Sequence, residues 1–436
     1  MRNWKKNVAL FLTGQTVSLF GSSLVQYALM WHLTLETRSG WVMTGYIIAG
    51  FLPAFFLSPL AGVWADRYDR KRIIALADGC IALVSLAAAV LLRLGGAEIP
   101  LIFAVAALRS LGSAVHQPAV GAYLPRIVPT EELTRVNGIN GGIQSALMLV
   151  SPIAAGALIA VASIPVIFLI DVVTAAGAIF ILLAFVREEI PGGVNADKAD
   201  ATVASGGAAG DAGAAGGGHF REFLEGLRYI REHRYLLSFF AFMGAMFFLV
   251  APAAFLTPIQ TARSFGPEVW RLTAIEIAFS VGMMAGGALI ASWGGFANRV
   301  KTILLGTAGM AACTLGLSLS PAIPGPAAFP IYLAFMGAFG VALPLLNVPS
   351  TVLLQEHVDD RFLGRTFSVY AMISTAFMPV AMLVFGPLAD TIELEPILFA
   401  CGAAMLLLAL LVPLNRRLME AGVPVAAKEE RPGETA

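Results

Sequence analysis

Ionisable residues interrupt long apolar stretches of this sequence, Arg109, Asp171 and Glu276 foremost among them. A charged side chain at the centre of a lipid bilayer costs about 2.5–3.5 kcal/mol on insertion scales, so each needs a partner or a task. Arginine keeps its charge at any working pH. Arg109 therefore cannot carry a proton, but it can pair with an acid and be released when that acid is protonated. Asp171 and Glu276 are the acids at suitable depth, and either could take up a proton. Asp78 reads as structural. His116 follows Arg109 by seven residues, two helical turns, so the two share a face. That fits a relay, although a satisfied buried histidine is the plainer reading. Gln15, Gln26 and His32 lie in the first apolar stretch, Gln144 and Asn347 in later ones. Each could bond a small molecule or join helices, a contact worth about 0.6 kcal/mol. Met30, Met246, Met283, Met372 and Met378 could adapt to a ligand's shape, though most methionines here should simply pack.

Other chemistry is poorly served. The five histidines show no H-E-x-x-H spacing, and no G-x-x-x-x-G-K-[ST] is present. An embedded metallo-enzyme and a nucleotide-driven pump in this chain are therefore disfavoured, and no cofactor or metal is expected. Cys80, Cys313 and Cys401 are far apart and fall in apolar stretches, so they read as single buried thiols. Lys+Arg and Asp+Glu are 28 each, which gives no global charge for nucleic acid.

The elements that must position these residues follow from composition. Hydrophobic residues make up 58% and charged residues 13%, against about 25% charged in a soluble domain. A crossing helix needs about 20 apolar residues. Twelve stretches qualify: 8–33, 41–65, 73–94, 99–124, 138–161, 164–186, 236–260, 270–293, 302–320, 328–354, 364–390 and 396–415. With the N-terminus placed in the cytoplasm, 23 Lys and Arg fall on inner segments and four (Arg38, Arg93, Arg263, Arg271) on outer loops. That asymmetry puts both termini inside. Residues 191–218 are mostly Gly, Ala, Asp and Ser with no aromatic, as in a flexible linker. The segment 219–234 then has apolar residues at helical spacing (Phe220, Phe223, Leu224, Leu227, Ile230) and a basic opposite face, which predicts a helix on the cytoplasmic membrane surface. The division is thus 1–190, six spans; 191–234, linker and surface helix; 235–415, six spans; and 416–436, a cytoplasmic tail. Twelve spans without a sizeable soluble domain argue against a receptor.

The two halves repeat. Gly62-x-x-x-Asp66-Arg67 matches Gly294-x-x-x-Asn298-Arg299 at an offset of 232, which also pairs Gly50 with Gly282. Leu133-x-Arg135 matches Leu363-x-Arg365 at an offset of 230, which pairs Arg109 with Phe339. Near-constant offsets at corresponding span ends point to duplication of a six-helix unit. The loop after the second span holds four positive charges, Arg67, Arg70, Lys71 and Arg72. By charge alone that is a topology signal.

Twelve spans, this repeat and the G-x-x-x-D-R-x-x-R-[RK] loop resemble the major facilitator superfamily. Within it the chain resembles the macrolide-efflux branch of drug exporters. The resemblance rests on Asn3-Trp4-Lys5, Gly14-Gln15-x-Val17-Ser18-Leu19, Gly50-Phe51-Leu52-Pro53, Asp66-Arg67-x-Asp69-Arg70-Lys71, Arg109-Ser110-x-Gly112, Ser151-Pro152 and Leu363-Gly364-Arg365. It implies an all-α membrane protein of twelve transmembrane helices in two six-helix halves. It further implies a bacterial inner-membrane antiporter, monomeric, whose partners are protons, lipid and a small amphipathic substrate such as a macrolide. Relatives that export a siderophore or antibiotic keep an endogenous substrate open. The resemblance places Arg109 at the proton-relay end of the cavity, with Glu276 and Asp171 as the acids whose depth suits proton coupling, and assigns conformational gating to Gly62, Asp66, Arg67, Arg70, Lys71 and Arg365. In this fold span eight should line the cavity and span six pack outside it. Read from the residues themselves, the candidates for substrate contact are Gln26, Met30, His116, Gln144, Met246, Asn347 and Met372. The chain departs from the common superfamily pattern in carrying Asp69 where many members have Gly, and Asn298 where an acid would stand in the second half.

Overall fold

A computed structural model describes residues 4–96, 98–186 and 228–423; the side chains at 59, 62, 63, 65–67, 130, 360 and 361 lie outside that description. Among the described residues, twelve helices are long and apolar enough to cross a membrane. They are α1 (Trp4–Thr37), α2 (Gly40–Arg67), α3 (Arg70–Arg93), α4 (Glu98–Ile127), α5 (Leu133–Val161) and α6 (Ile164–Phe185), then α7 (Arg234–Ser264), α8 (Val269–Trp293), α9 (Arg299–Leu319), α10 (Ala328–His357), α11 (Asp360–Thr391) and α12 (Leu394–Leu411). A short α13 (Arg416–Ala421) follows. Pro258 sits where α7 is interrupted at Leu256, in line with proline's missing N–H. No strand occurs among the described residues. The linker and most of the 219–234 segment fall outside them.

The chain divides into two compact units, Met1–Thr37 with Gly45–Ala215, and Arg38–Thr44 with Gly216–Ala436. Within the first, α1 packs on α5 and α6, and α3 on α4 and α6. Within the second, α7 packs on α11 and α12, and α9 on α10 and α12. The pairings correspond helix by helix after a shift of six.

Each unit has its own apolar core. In the first, Phe11 of α1 meets Tyr123 of α4 at 5.1 Å between ring centres, among Ile74, Leu124 and Ile127. In the second, Phe239, Met243, Met246, Ile303, Phe339 and Leu353 form one cluster. Glycines set the closest crossing of the second unit: a side chain at Gly282 would meet the Gly337 carbonyl, and one at Gly286 the Val341 carbonyl. Such close approach is the main use of small residues between membrane helices. Also in this unit, Asp390 caps residues 39–41. It accepts hydrogen bonds from the Ser39 hydroxyl (2.6 Å) and the Gly40 (2.7 Å) and Trp41 (3.0 Å) amides. Arg263 bonds Asp390 at 3.1 Å and the Ala389 carbonyl at 2.6 Å.

Two expectations are corrected in the connections. α2 runs on through position 62 to Arg67, whereas α8 ends at Trp293 because Gly294 (φ 76°) and Gly295 (φ 80°) turn left-handed. The helix that follows is capped by Asp69 in the first unit and by Asn298 in the second. Asp69 accepts from the Lys71 and Arg72 amides, Asn298 from those of Val300 and Lys301. Asn298 thus does the work of Asp69, not of Asp66, three residues earlier. An N-cap accepts hydrogen bonds equally well as Asn or Asp, so the missing charge costs little. The second correction concerns residues 228–232, which are helical and turn Ile230 into the protein core, only 5% exposed. Tyr229 stacks on Phe362 at 4.4 Å. At this turn the apolar face meets protein instead of lipid.

Candidate functional site

Four helices of the first unit bring polar residues into two layers. Gly21 lets α1 approach α6 so closely that any side chain there would meet Thr174 and the Asp171 backbone. Ser22, one residue on, then donates to Asp171 Oδ1 at 3.1 Å. Ser85 of α3 donates to Asp171 Oδ2 at 2.7 Å. Arg109 of α4 pairs with the same Oδ2, donates to the Ser85 hydroxyl, and reaches the Ser22 carbonyl at 3.4 Å. Asp171 is fully buried and the Arg109 side chain only 12% exposed. The pair is neutral overall, and its lone pairs and N–H groups are largely met, which is the condition for burying two charges. Pairing with Arg109 is the structural alternative that the sequence allows for Asp171, and the structure shows that pair.

The second layer lies one turn along α1 and two turns along α3 and α4, about 6 and 10 Å at 1.5 Å per residue. Ser18 donates to Asp78 Oδ1 at 3.2 Å, and His116 Nε2 stands 3.3 Å from the same oxygen. Gly112 lies against Ile81 where α3 and α4 cross. His116, 4% exposed, therefore belongs to a buried acid–base couple and does not line open space, which corrects its expected place.

Glu276 is different. It lies on α8, seven residues from the helix start and so about 10 Å along it. It forms no hydrogen bond or ion pair among the described residues. Asn347, on the neighbouring α10, is likewise partly exposed with an unbonded side chain. Gln26 on α1 and Gln144 on α5, helices that pack together, are exposed and unbonded. An amide facing hydrocarbon with no partner costs several kcal/mol, so such positions are better placed toward water. Met30 and Met372 are partly exposed. Met246 is fully buried in the apolar core, where its flexible thioether fills space, so its expected cavity role is corrected to packing. Phe339, the repeat partner of Arg109, is buried in that same cluster, so the charge has no counterpart there.

The charged loop is also placed. Lys71 Nζ donates to the Leu183 carbonyl at 3.3 Å and the Val186 carbonyl at 2.7 Å, at the carbonyl-rich end of α6. A cation suits a helix C-terminus. Arg365 lies over the Phe362 ring at 5.4 Å. The surroundings of Gly62 and the side chains of Asp66 and Arg67 lie outside the description. Cys313 and Cys401 are buried and free, whereas Cys80 is exposed on α3, since that helix turns its other face to α4 and α6.

Comparison with known proteins decides the family. The model of the Major Facilitator Superfamily matches residues 8–382. The chain belongs to the major facilitator superfamily. Macrolide efflux protein A of Streptococcus pyogenes is 30% identical over 412 residues, covering 94% of this chain and 96% of that protein. The multidrug efflux pump Tap of Mycobacterium bovis is 23% identical, covering 96% of both. Among solved members of the fold, a bacterial homologue of the iron transporter ferroportin in its inward-facing state superposes with a TM-score of 0.65 at 16% identity, covering 93% of this chain and 98% of its own. The inward-open xylose transporter XylE from E. coli gives 0.63 at 12% identity, covering 94% and 95%. This facilitator is a multi-pass membrane transporter and not an enzyme.

Proposed function

We propose that this transporter is a proton-coupled exporter of amphipathic, basic small molecules of the macrolide-like class, working by alternating access. The observation that carries the reading is Glu276, a carboxyl within a membrane span that has no partner among the described residues. A group so placed is costly unless it has a task. Unprotonated, it attracts a cationic compound; protonated, it releases one. Exchange of a proton for a cation at one carboxyl is the simplest coupling of the two fluxes. Arg109 and Asp171 serve the same cycle as a fixed, neutral pair from which Asp171 is freed only if protonated. Gln26, Met30, Gln144, Asn347 and Met372 supply the polar and adaptable contacts. The similarity to the macrolide efflux proteins supports this substrate class.

Gating is assigned to Gly62, Asp66, Arg67, Arg70, Lys71 and Arg365. The seat of Lys71 on the end of α6 supports a role in holding one conformation. The charge asymmetry supports insertion in the bacterial cytoplasmic membrane with both termini inside. Because both six-helix halves are in one chain, a monomer carries the whole machine. The test is accumulation of a labelled macrolide in cells with and without the chain. Lower accumulation that a protonophore reverses supports the reading; equal accumulation across a panel of basic and neutral amphiphiles overturns it.

A further inference from the structure

The first unit holds two buried acid couples, and their surroundings differ. Asp171 receives two hydroxyl bonds and an arginine, and that arginine cannot give up its proton. Asp78 receives one hydroxyl bond and faces a histidine. Three atoms of this second layer are buried without a hydrogen-bond partner: Asp78 Oδ2, His116 Nε2, and Oε1 of Gln15, one turn from Ser18 on α1. Buried polar atoms in folded proteins are nearly always satisfied, so a group of three calls for an explanation.

We propose that the Asp78–His116 couple is a proton-binding site in its own right, loaded and unloaded during the working cycle. The proton is taken from water onto the free imidazole nitrogen and returned to water, with no other bond made or broken. With neutral imidazole the couple carries one negative charge; with imidazolium, 3.3 Å from Asp78, it is neutral. Loading thus removes a net buried charge. Histidine is the side chain whose ordinary titration falls in the physiological range, so the couple can change charge where the Arg109 couple cannot.

Few other charges face it. Arg109 and Asp171 lie two turns away along α4 and on α6, and neutralise each other. On α3, Lys71 lies about two turns the other way and is bound to the end of α6. On α4, Tyr123 is two turns beyond His116. α1 carries no charged residue between Lys6 and His32, α5 none between Arg135 and Val161, and α6 none between Asp171 and Phe185. Among the described residues, the charge of the site is therefore set by His116 and Asp78 themselves.

The inference rests on the chain being a transporter, but on no particular substrate. Its test is nitrogen-15 NMR of the full chain in lipid nanodiscs, with labelled histidine, between about pH 5 and pH 9. The His116 signal is identified by its absence from the His116→Gln spectrum. We expect that signal to pass through a protonation step, and Asp78→Asn, which keeps the shape and an oxygen for Ser18, to displace the midpoint by tenfold or more in proton concentration. A ring that holds one protonation state across the range overturns the proposal, as does an unchanged midpoint in Asp78→Asn. A second arm compares transport: both variants should flatten its pH profile, and a profile parallel to wild type would also overturn it. The NMR arm needs no substrate, so its outcome is independent of whether any tested compound is exported.

Discussion

Asp171→Asn removes one charge from the buried Arg109 couple and leaves its volume intact. Breaking a buried pair by removing one partner costs about 3–5 kcal/mol, because the other charge stays buried. Two contacts soften this. The substituted amide keeps an oxygen for Ser85 or Ser22, and Arg109 keeps the Ser22 carbonyl at 3.4 Å. We expect a loss of about 2–4 kcal/mol. Replacing both partners by apolar residues of similar size, Arg109→Met with Asp171→Leu, should cost less than the sum of the single changes by about 1–3 kcal/mol, since no charge is then stranded. Glu276→Gln, with no partner to strand, should stay within about 0.5 kcal/mol of wild type. The assay is equilibrium unfolding of purified protein in mixed micelles, each variant against wild type. Asp171→Asn as stable as wild type, or strict additivity in the double variant, would refute the view that this cluster ties α1, α3, α4 and α6 together.

Asp69→Ala and Asn298→Ala each remove an N-cap and should cost about 1 kcal/mol by the same unfolding assay, with similar values for the two. Gly282→Leu should sharply reduce the folded yield judged by size-exclusion chromatography, because the new side chain meets the Gly337 carbonyl, whereas Gly287→Ala meets nothing and should be tolerated. Asp66→Asn should leave membrane abundance normal, measured by immunoblot, and slow transport. Replacing 191–218 with a Gly/Ser linker of equal length should preserve transport, since only its reach is needed.

The spans were legible because lipid demands long apolar runs, and no soluble alternative accommodates 58% hydrophobic residues. The repeat was legible at span ends, where glycines and charges recur. Side-chain partners were legible only as alternatives, such as the pairing of Asp171 with Arg109. Arg109 and Asp171 are 62 residues apart, and their meeting depends on Gly21 letting α1 close on α6. The match of Asn298 to Asp66 failed because the second half ends its helix at Gly294 while the first runs on, a difference of a few residues that a pattern match absorbs. Met246 was misplaced because helical position does not tell which face of a wholly apolar helix meets protein. Asp390 was overlooked because its partners, Ser39 to Trp41 and Arg263, are distant in sequence and look like ordinary loop residues.

The most direct test of the account is uphill transport of a basic macrolide in sealed, inside-out vesicles energised with a proton gradient, wild type against Glu276→Gln. The account predicts that wild type concentrates the compound and loses it when a protonophore is added, while Glu276→Gln allows only downhill exchange. Wild-type accumulation indifferent to the protonophore, or full accumulation by Glu276→Gln, would contradict it.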